Sequence, residues 1–360
     1  MSEAETFQTE PQLERLPVSV ITGFLGSGKT TLLKHLLKQP DMADTAVVIN
    51  EFGEIGLDHL LVEEAREDTI LMSSGCLCCS IRGDLIDTLR RLYKRRERGE
   101  VPRFKRLVIE TTGLADPAPI LQTLIGDPLL SAFYRLDGVV TTVDAVNGMD
   151  QLDRQFESVK QAAVADRLIL TKTDLAGAEQ RAALEARLRA LNPAAPLLPV
   201  AHGAVEAGQL FNAGLYNPAE KNPDVARWLG EEAYAQSEEA HHGHHHGHDH
   251  GHGHALDVNR HDDHIRAFCL TYDRPIAWDR FVNWIEMLIT MRGADLLRIK
   301  GILNVADSDG PVAIHGIQHL FHPPAMLPGW SGEDRRSRIV FITRDLERAW
   351  LEQSMAEFLG

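Results

Sequence analysis

The run Gly23-Phe24-Leu25-Gly26-Ser27-Gly28-Lys29-Thr30 constrains this chain more than any other feature, because G-x-x-x-x-G-K-[ST] works as a loop between a strand and a helix. An apolar run, Val18 to Thr22, precedes it and a helical pattern follows. The glycines let backbone N–H groups close around phosphate oxygens, Lys29 reaches the β and γ phosphates, and the Thr30 hydroxyl is placed for Mg²⁺. Gly23, Gly26, Ser27, Gly28, Lys29, Thr30 and Thr31 are therefore the expected phosphate cradle, and the expected ligand is a nucleoside triphosphate.

Downstream, β-branched and apolar runs alternate with helical patterns to about residue 202, the signature of a mostly parallel sheet covered by helices. The expected strands are Val18 to Thr22, Ala46 to Asn50, Thr69 to Ser73, Arg106 to Thr111, Gly138 to Val143, Arg167 to Thr171 and Pro196 to Val200. Ligands bind beyond the carboxyl ends of strands in such sheets, and the motifs of this chain fall at those ends. The fold class is α/β: a doubly wound, mostly parallel sheet of P-loop NTPase type, followed by a small C-terminal α+β unit of ferredoxin-like type. In that unit the expected strands are Ile265 to Pro275, Leu296 to Ala306, Val312 to Phe321 and Arg338 to Ile342, with helices over Ala277 to Met291 and Leu346 to Phe358.

The domain reading assigns 1–15 to a disordered N-terminus, 16–205 to the nucleotide domain, 206–262 to a linker and 263–360 to the C-terminal unit. Within the linker, His241 to His254 holds nine His, four Gly and Asp249. Such a tract has nothing to bury; its exchangeable imidazoles suit metal buffering, and a pH-responsive linker is the competing reading.

With 44% hydrophobic residues in 360, the chain can bury a substantial core. A formal charge of -15 argues against sequence-independent nucleic-acid binding, which depends on a basic face. The basic stretch Arg90 to Arg106 reads as a solvated helix face, with Leu89, Leu92 and Tyr93 on its buried side. No apolar stretch reaches transmembrane length and Met1 to Arg15 is acidic and polar, so no membrane role is expected and the expected compartment is the cytoplasm.

Thr171-Lys172-Thr173-Asp174 closes an expected strand and has the form of a guanine-specifying N/T-K-x-D element. Its Asp174 carboxylate can accept the guanine N1 and N2 donors while the Lys172 stem lies over the ring, which favours GTP over ATP. Glu110-Thr111-Thr112-Gly113 ends another strand: Glu110 is placed to hold a metal-bound water, and the Gly113 N–H to contact the γ-phosphate. Lys29, Glu110 and Gly113 are the expected catalytic set. Asn50-Glu51-Phe52-Gly53-Glu54 falls where a switch segment belongs, and the sequence assigns no Gln or Arg to orient the attacking water.

Three of the four cysteines sit in Gly75-Cys76-Leu77-Cys78-Cys79. Cys76, Cys78 and Cys79 can converge on one soft or borderline ion, leaving a position for Glu51, Glu54, a distant His or a partner's residue. Burial of thiols in a core is the competing reading, and it is the one adopted for Cys269. His315 and His319 share a strand face while His322 points the other way, so packing or interdomain contact is expected there.

These motifs, in this order and followed by a His-rich linker, resemble the CobW-type metallochaperone GTPases, including the zinc-transferring members. Leu296-Leu297-Arg298-Ile299-Lys300-Gly301 and His315-Gly316-Ile317-Gln318-His319 resemble that family's C-terminal domain. The resemblance implies a GTPase using Mg²⁺, with Zn²⁺ on Cys76, Cys78 and Cys79 and transfer to a client metalloprotein coupled to hydrolysis. Co²⁺ handling for cobalamin synthesis and metal storage or sensing are the alternatives, and a homodimer is compatible with all three.

Overall fold

Seven parallel strands answer the seven apolar runs. Leu16–Gly23 (β1), Thr45–Ile49 (β2), Ile70–Ser73 (β3), Arg106–Glu110 (β4), Tyr134–Asp144 (β5), Arg167–Thr171 (β6) and Leu197–Pro199 (β7) form one sheet in the order β3-β2-β4-β1-β5-β6-β7. The computed structural model describes residues 15–49, 70–73, 81–211, 264–330 and 333–360. β2 is buried throughout, and β1 and β4 nearly so, which is why they read as continuous apolar runs rather than alternating ones.

Helices cover both faces. On one side Lys29–Leu37 (α1) buries Leu32, Leu33, Leu36 and Leu37 over Ile21, Val47, Val108 and Ile169, and the chain stays packed there through Ala207–Leu210 and Phe211. On the other, Ile81–Glu97 (α2) and Ala118–Gly126 (α3) pack on Val18, Val20, Ala46 and Leu107. α2 has the expected two faces: Leu85, Leu89 and Leu92 are buried while Arg91, Lys94 and Arg95 are exposed, and the Tyr93 ring stacks 4.1 Å from Phe133. Beyond β5, Phe156–Ala163 (α6 here, after Pro128–Phe133 as α4 and Gly148–Arg154 as α5) and Ala178–Leu191 (α7) complete the layer.

The C-terminal unit is an antiparallel sheet with two helices. Its strands are Ile265–Tyr272 (β8), Leu296–Leu303 (β9), Val312–Ile317 (β10), Leu320–Phe321 (β11), Ala325–Met326 (β12) and Ser337–Arg344 (β13), ordered β11-β10-β9-β13-β8 with β12 on β10. Trp278–Arg292 (α9, counting Ala207–Leu210 as α8) and Arg348–Leu359 (α10) bury Phe281, Trp284, Leu351 and Met355 over Ile299, Ile339 and Phe341. The Trp284 indole donates to Ser354 Oγ at 3.0 Å.

Three expectations differ from the structure. The α+β class holds, but among the described residues the element order is β8-α9-β9-β10-β11-β12-β13-α10, with no helix between β10 and β13, not the β-α-β-β-α-β of a ferredoxin-like unit. Pro323, Pro324 and Pro328 occupy the stretch between β10 and β13, where a second crossover helix would be needed, and proline does not support a helix interior. Likewise Val312 to Phe321 is not one strand. The chain reverses at Gln318, which has a φ of 53°, and Ile317 pairs with Leu320. The turn residues Gln318 and His319 are not the Gly, Asn or Asp that usually mark a two-residue hairpin, so the reversal carried no turn signal in the sequence. Cys269 is half-buried on β8 at the sheet edge rather than enclosed in the core.

A buried polar seam joins the two units. Asp166, just before β6, accepts from Arg298 and, at 3.0 Å, from Lys300, both on β9, and from the Val139 N–H at 3.0 Å. Arg298 also donates to the Val164 carbonyl. Burial opposes ionisation of Asp166, but the two cations prevail and hold its carboxyl far below the usual range; burial, reinforced by Arg298, pulls Lys300 down to about 8.

Candidate nucleotide site

The site starts where β1 runs out. At Gly23 φ is +140°, and a Cβ would lie 2.3 Å from both the carbonyl oxygen and Oγ1 of Thr142, so only glycine allows β1 to pass β5 and turn. Gly26 and Gly28 follow with φ of 71° and 91°, and α1 opens at Lys29 with its N–H groups facing the cavity. Lys29 is folded back: its Nζ donates to the Gly23 carbonyl at 2.9 Å and the Phe24 carbonyl at 3.1 Å. Phosphate oxygens, carrying full charge, are stronger acceptors for that ammonium than these dipoles.

The cavity in front of the loop has a volume of about 290 Å³ and is lined by Gly26, Gly28, Lys29, Thr30, Thr31, Glu110, Thr112, Gly113 and Lys172, among others. Thr30 Oγ1 donates to Glu110 Oε1 at 2.8 Å. That contact sets a hydroxyl that would bind Mg²⁺ beside a carboxylate that would hold a metal-bound water. The register explains the meeting. Glu110 pairs with Ile21 of β1 and with Ile49 of β2, so its carboxylate ends beside the loop. The Thr112 hydroxyl is buried with no hydrogen-bond partner among the described residues, as suits a group awaiting a polar ligand. Gly113 lies against the loop, where a Cβ would be 2.6 Å from the Leu25 nitrogen.

Two hydroxyls of the nucleotide motifs are tied into the scaffold. The Ser27 hydroxyl is wholly buried against Thr142 Oγ1 at 2.6 Å, and Thr171 Oγ1 donates to the Ser27 carbonyl at 2.7 Å, fastening the end of β6 to the phosphate loop. Gly23 likewise does not line the cavity. Lys172, at a φ of 56°, does, and its ammonium is steered by Asp144 at 2.7 Å. Burial disfavours the Asp144 anion, yet bonds from Lys172, Asn147 and the Val146 and Asn147 N–H groups keep its carboxyl below the ordinary range. Asp174 is exposed on the same turn, 3.6 Å from the His202 ring. Asp144 went unnoticed in the sequence; its only signal is an acid ending the apolar run Val139 to Val143.

Glu51, Glu54, Cys76, Cys78, Cys79 and the His241 to His254 tract lie outside the described residues. What is described is where their segments depart: β2 ends at Ile49 and β3 at Ser73, which are register partners, and Ile49 lines the phosphate cavity.

Comparison with known proteins agrees along the whole chain. The family model for the CobW/HypB/UreG nucleotide-binding domain matches residues 17–199, and that for the cobalamin synthesis protein cobW C-terminal domain matches 265–359. The zinc chaperone YjiA of Escherichia coli (strain K12) is 33% identical over 345 residues, spanning 96% of this chain and 98% of that protein. The zinc-regulated GTPase metalloprotein activator 1 of Schizosaccharomyces pombe is 29% identical over 359 residues, spanning 93% and 84%. The crystal structure of Zn(II)-bound YjiA GTPase from E. coli superposes with a TM-score of 0.68 at 29% identity, over 96% of this chain and 99% of that one. With the phosphate loop, the Thr30–Glu110 pair and the two-unit architecture in place, the chain belongs to the CobW/HypB/UreG nucleotide-binding family and carries the cobW C-terminal domain.

Proposed function

We propose that this chain is a GTP-hydrolysing metallochaperone that carries Zn²⁺ as cargo on Cys76, Cys78 and Cys79 and delivers it to a client metalloprotein. The observation that carries the reading is the Thr30–Glu110 contact beside Lys29, a triphosphate site built for hydrolysis, in a chain that aligns nearly end to end with a zinc chaperone. Lys29 turns from the loop carbonyls to the β and γ phosphates, and the Gly113 N–H meets the γ-phosphate. Thr30 directly, and Glu110 through a water, would hold Mg²⁺, which neutralises charge on the phosphates when bound. Asp174 reads guanine, with Lys172 over the ring. The nucleotide domain extends over residues 16–205, and GTP and a client protein are its partners.

Cargo and nucleotide are coupled because their segments leave neighbouring strand ends. Ile49 borders the phosphate cavity two residues before Glu51, and Ser73, its register partner, stands three residues before Cys76. A γ-phosphate that moves one segment changes the metal affinity of both, and the coupling is reciprocal. The test is competition of Zn²⁺ and Co²⁺ against a chromophoric chelator, on protein lacking residues 241–254, with Mg²⁺ and either a non-hydrolysable GTP analogue or GDP. One tightly held Zn²⁺, lost in Cys78→Ala and bound about 5–150-fold more tightly with the analogue than with GDP, is expected. Equal affinity in both nucleotide states would remove the chaperone cycle, and selective retention of Co²⁺ would favour the cobalt-handling reading.

A further inference from the structure

The short helix α6 is held on one side by the segment after Glu110 and on the other by the C-terminal sheet. Toward the nucleotide site, Gln161 Nε2 donates to the Gly113 carbonyl at 3.2 Å and to the Ala115 carbonyl at 2.9 Å. Lys160 Nζ meets Asp116 Oδ2 at 2.7 Å. Toward the C-terminal unit, Ala163 is buried with Leu297 and Ile342, and the Arg344 guanidinium stands 5.1 Å from the Phe156 ring centre. The Gln161 backbone carbonyl accepts from Thr141 Oγ1 at 2.7 Å, which pins this turn of the helix to β5.

The Gln161 side chain is 1% exposed, and its orientation is set by chemistry: two carbonyl oxygens face it, so the NH₂ must point at them. Its own Oε1 is buried with no hydrogen-bond partner among the described residues. A buried orphan acceptor is costly, and a residue serving packing alone would not need to be an amide. Both N–H groups are spent on the backbone that carries Gly113, while the acceptor stays available to the N–H groups of that segment if it shifts.

We propose that Gln161 is a positioning residue for GTP hydrolysis: through the Gly113 and Ala115 carbonyls it sets the direction of the Gly113 N–H toward the γ-phosphate, and its place on α6 makes that setting responsive to the C-terminal sheet. The inference rests on the reading of Gly113 as the γ-phosphate contact. Gln161 touches no reacting atom and acts only through that backbone. No glutamine could be assigned to this segment from sequence, because Gln161 lies 48 residues from Gly113 and 46 from Ala115.

The test uses the full chain with Mg²⁺, measuring steady-state GTP hydrolysis and the affinities for GDP and for a non-hydrolysable GTP analogue. Gln161→Met keeps the volume and removes both donors. Its kcat is expected to fall about tenfold, the rate equivalent of one neutral hydrogen bond of about 1.4 kcal/mol. GDP affinity should stay within about twofold while the preference for the analogue over GDP falls, a split that a merely structural role would not give. An unchanged kcat and analogue preference overturns the proposal. Should Gln161→Met fail to fold, Lys160→Met decides: it frees Asp116 from the same helix and is expected to lower kcat about threefold with GDP affinity kept, and no change there overturns the proposal too. The parent separates the two assignments: if it binds the non-hydrolysable GTP analogue and GDP equally, the γ-phosphate reading of Gly113 fails independently of Gln161.

Discussion

Strand β6 has polar chemistry at both ends, and the two ends differ in what they leave open. At its carboxyl end Thr171 ties to the phosphate loop and Lys172 leans on Asp144 at the rim of a cavity, where Lys29 is held by its own loop's carbonyls. Just before its amino end Asp166 is closed in by Arg298 and Lys300 from β9 of the C-terminal sheet and by the Val139 N–H from β5. Both regions bury charge. Only the first can exchange its protein partners for a ligand, because dipoles yield to phosphate while a carboxylate between two cations does not. Buried charge alone therefore does not mark a binding site; exchangeable partners beside an open cavity do.

The sharpest way to break this contrast is to remove Asp166. Asp166→Ala leaves Arg298 and Lys300 buried without their anion, so a loss of about 3–5 kcal/mol is expected in urea denaturation. GDP affinity of the folded fraction should hardly change, since nothing in the phosphate cavity touches Asp166. A cost near that of an exposed ion pair, below about 1 kcal/mol, would mean that the seam does not hold the two units together.

Lys29→Ala should give the opposite profile. GTP turnover is expected to drop about 10²–10³-fold, as when one group facing developing transition-state charge is lost, while stability changes by less than about 1 kcal/mol. Steady-state hydrolysis and urea melts on the same sample check both halves. A variant that unfolds instead would place Lys29 with Asp166 among the structural charges.

The contrast also explains what could be read in advance. The glycine-rich loop is contiguous, so Gly23 to Thr31 could be read as one motif, and Glu110 stood out as an acid closing an apolar strand. The seam is assembled across 132 to 134 residues of chain, between an Ala-Asp pair and two cations in an otherwise apolar strand, and no local pattern carries that. Side-chain direction was hidden in the same way. Ser27 and Thr171 belong to nucleotide motifs, yet their hydroxyls serve the scaffold. Gln161 on α6 and Asp144 on β5 are invisible as partners until the sheet order brings them to Gly113 and Lys172. The expectation that His322 points away from the face of His315 failed because the chain reverses at the Gln318 turn: His315 and His322 face each other across the hairpin with ring centres 4.8 Å apart.

That His pair supplies the smallest and most selective test. With Asp166, Arg15 and Arg135 it lines a cavity of about 210 Å³ between the units. Burial, backed by Arg298 and Arg15 against the opposing pull of Asp166, brings His322 down to about 4; burial, its neighbour His322, Arg298 and Lys300 bring His315 well below 6.5. The sign follows from linkage. The unfolded chain takes up protons on these imidazoles as pH falls through about 6.5 while the folded chain does not, so acidification from there to about 4 favours unfolding, by about 1–3 kcal/mol for His322 given its partial exposure. Asp166 acts lower. Its carboxylate contributes stability above the ordinary value of about 3.9, lost only as pH falls below that toward its folded value, so the two windows separate. Urea melts from pH 7 to pH 4 should slope downward in the parent and flatten in His322→Gln, while Asp166→Ala keeps the slope or steepens it, because the pull of Asp166 opposes the lowering of both rings. An unchanged slope in His322→Gln would mean that the cavity lets water and protons reach the rings, and the seam would then be less closed than its hydrogen bonds imply.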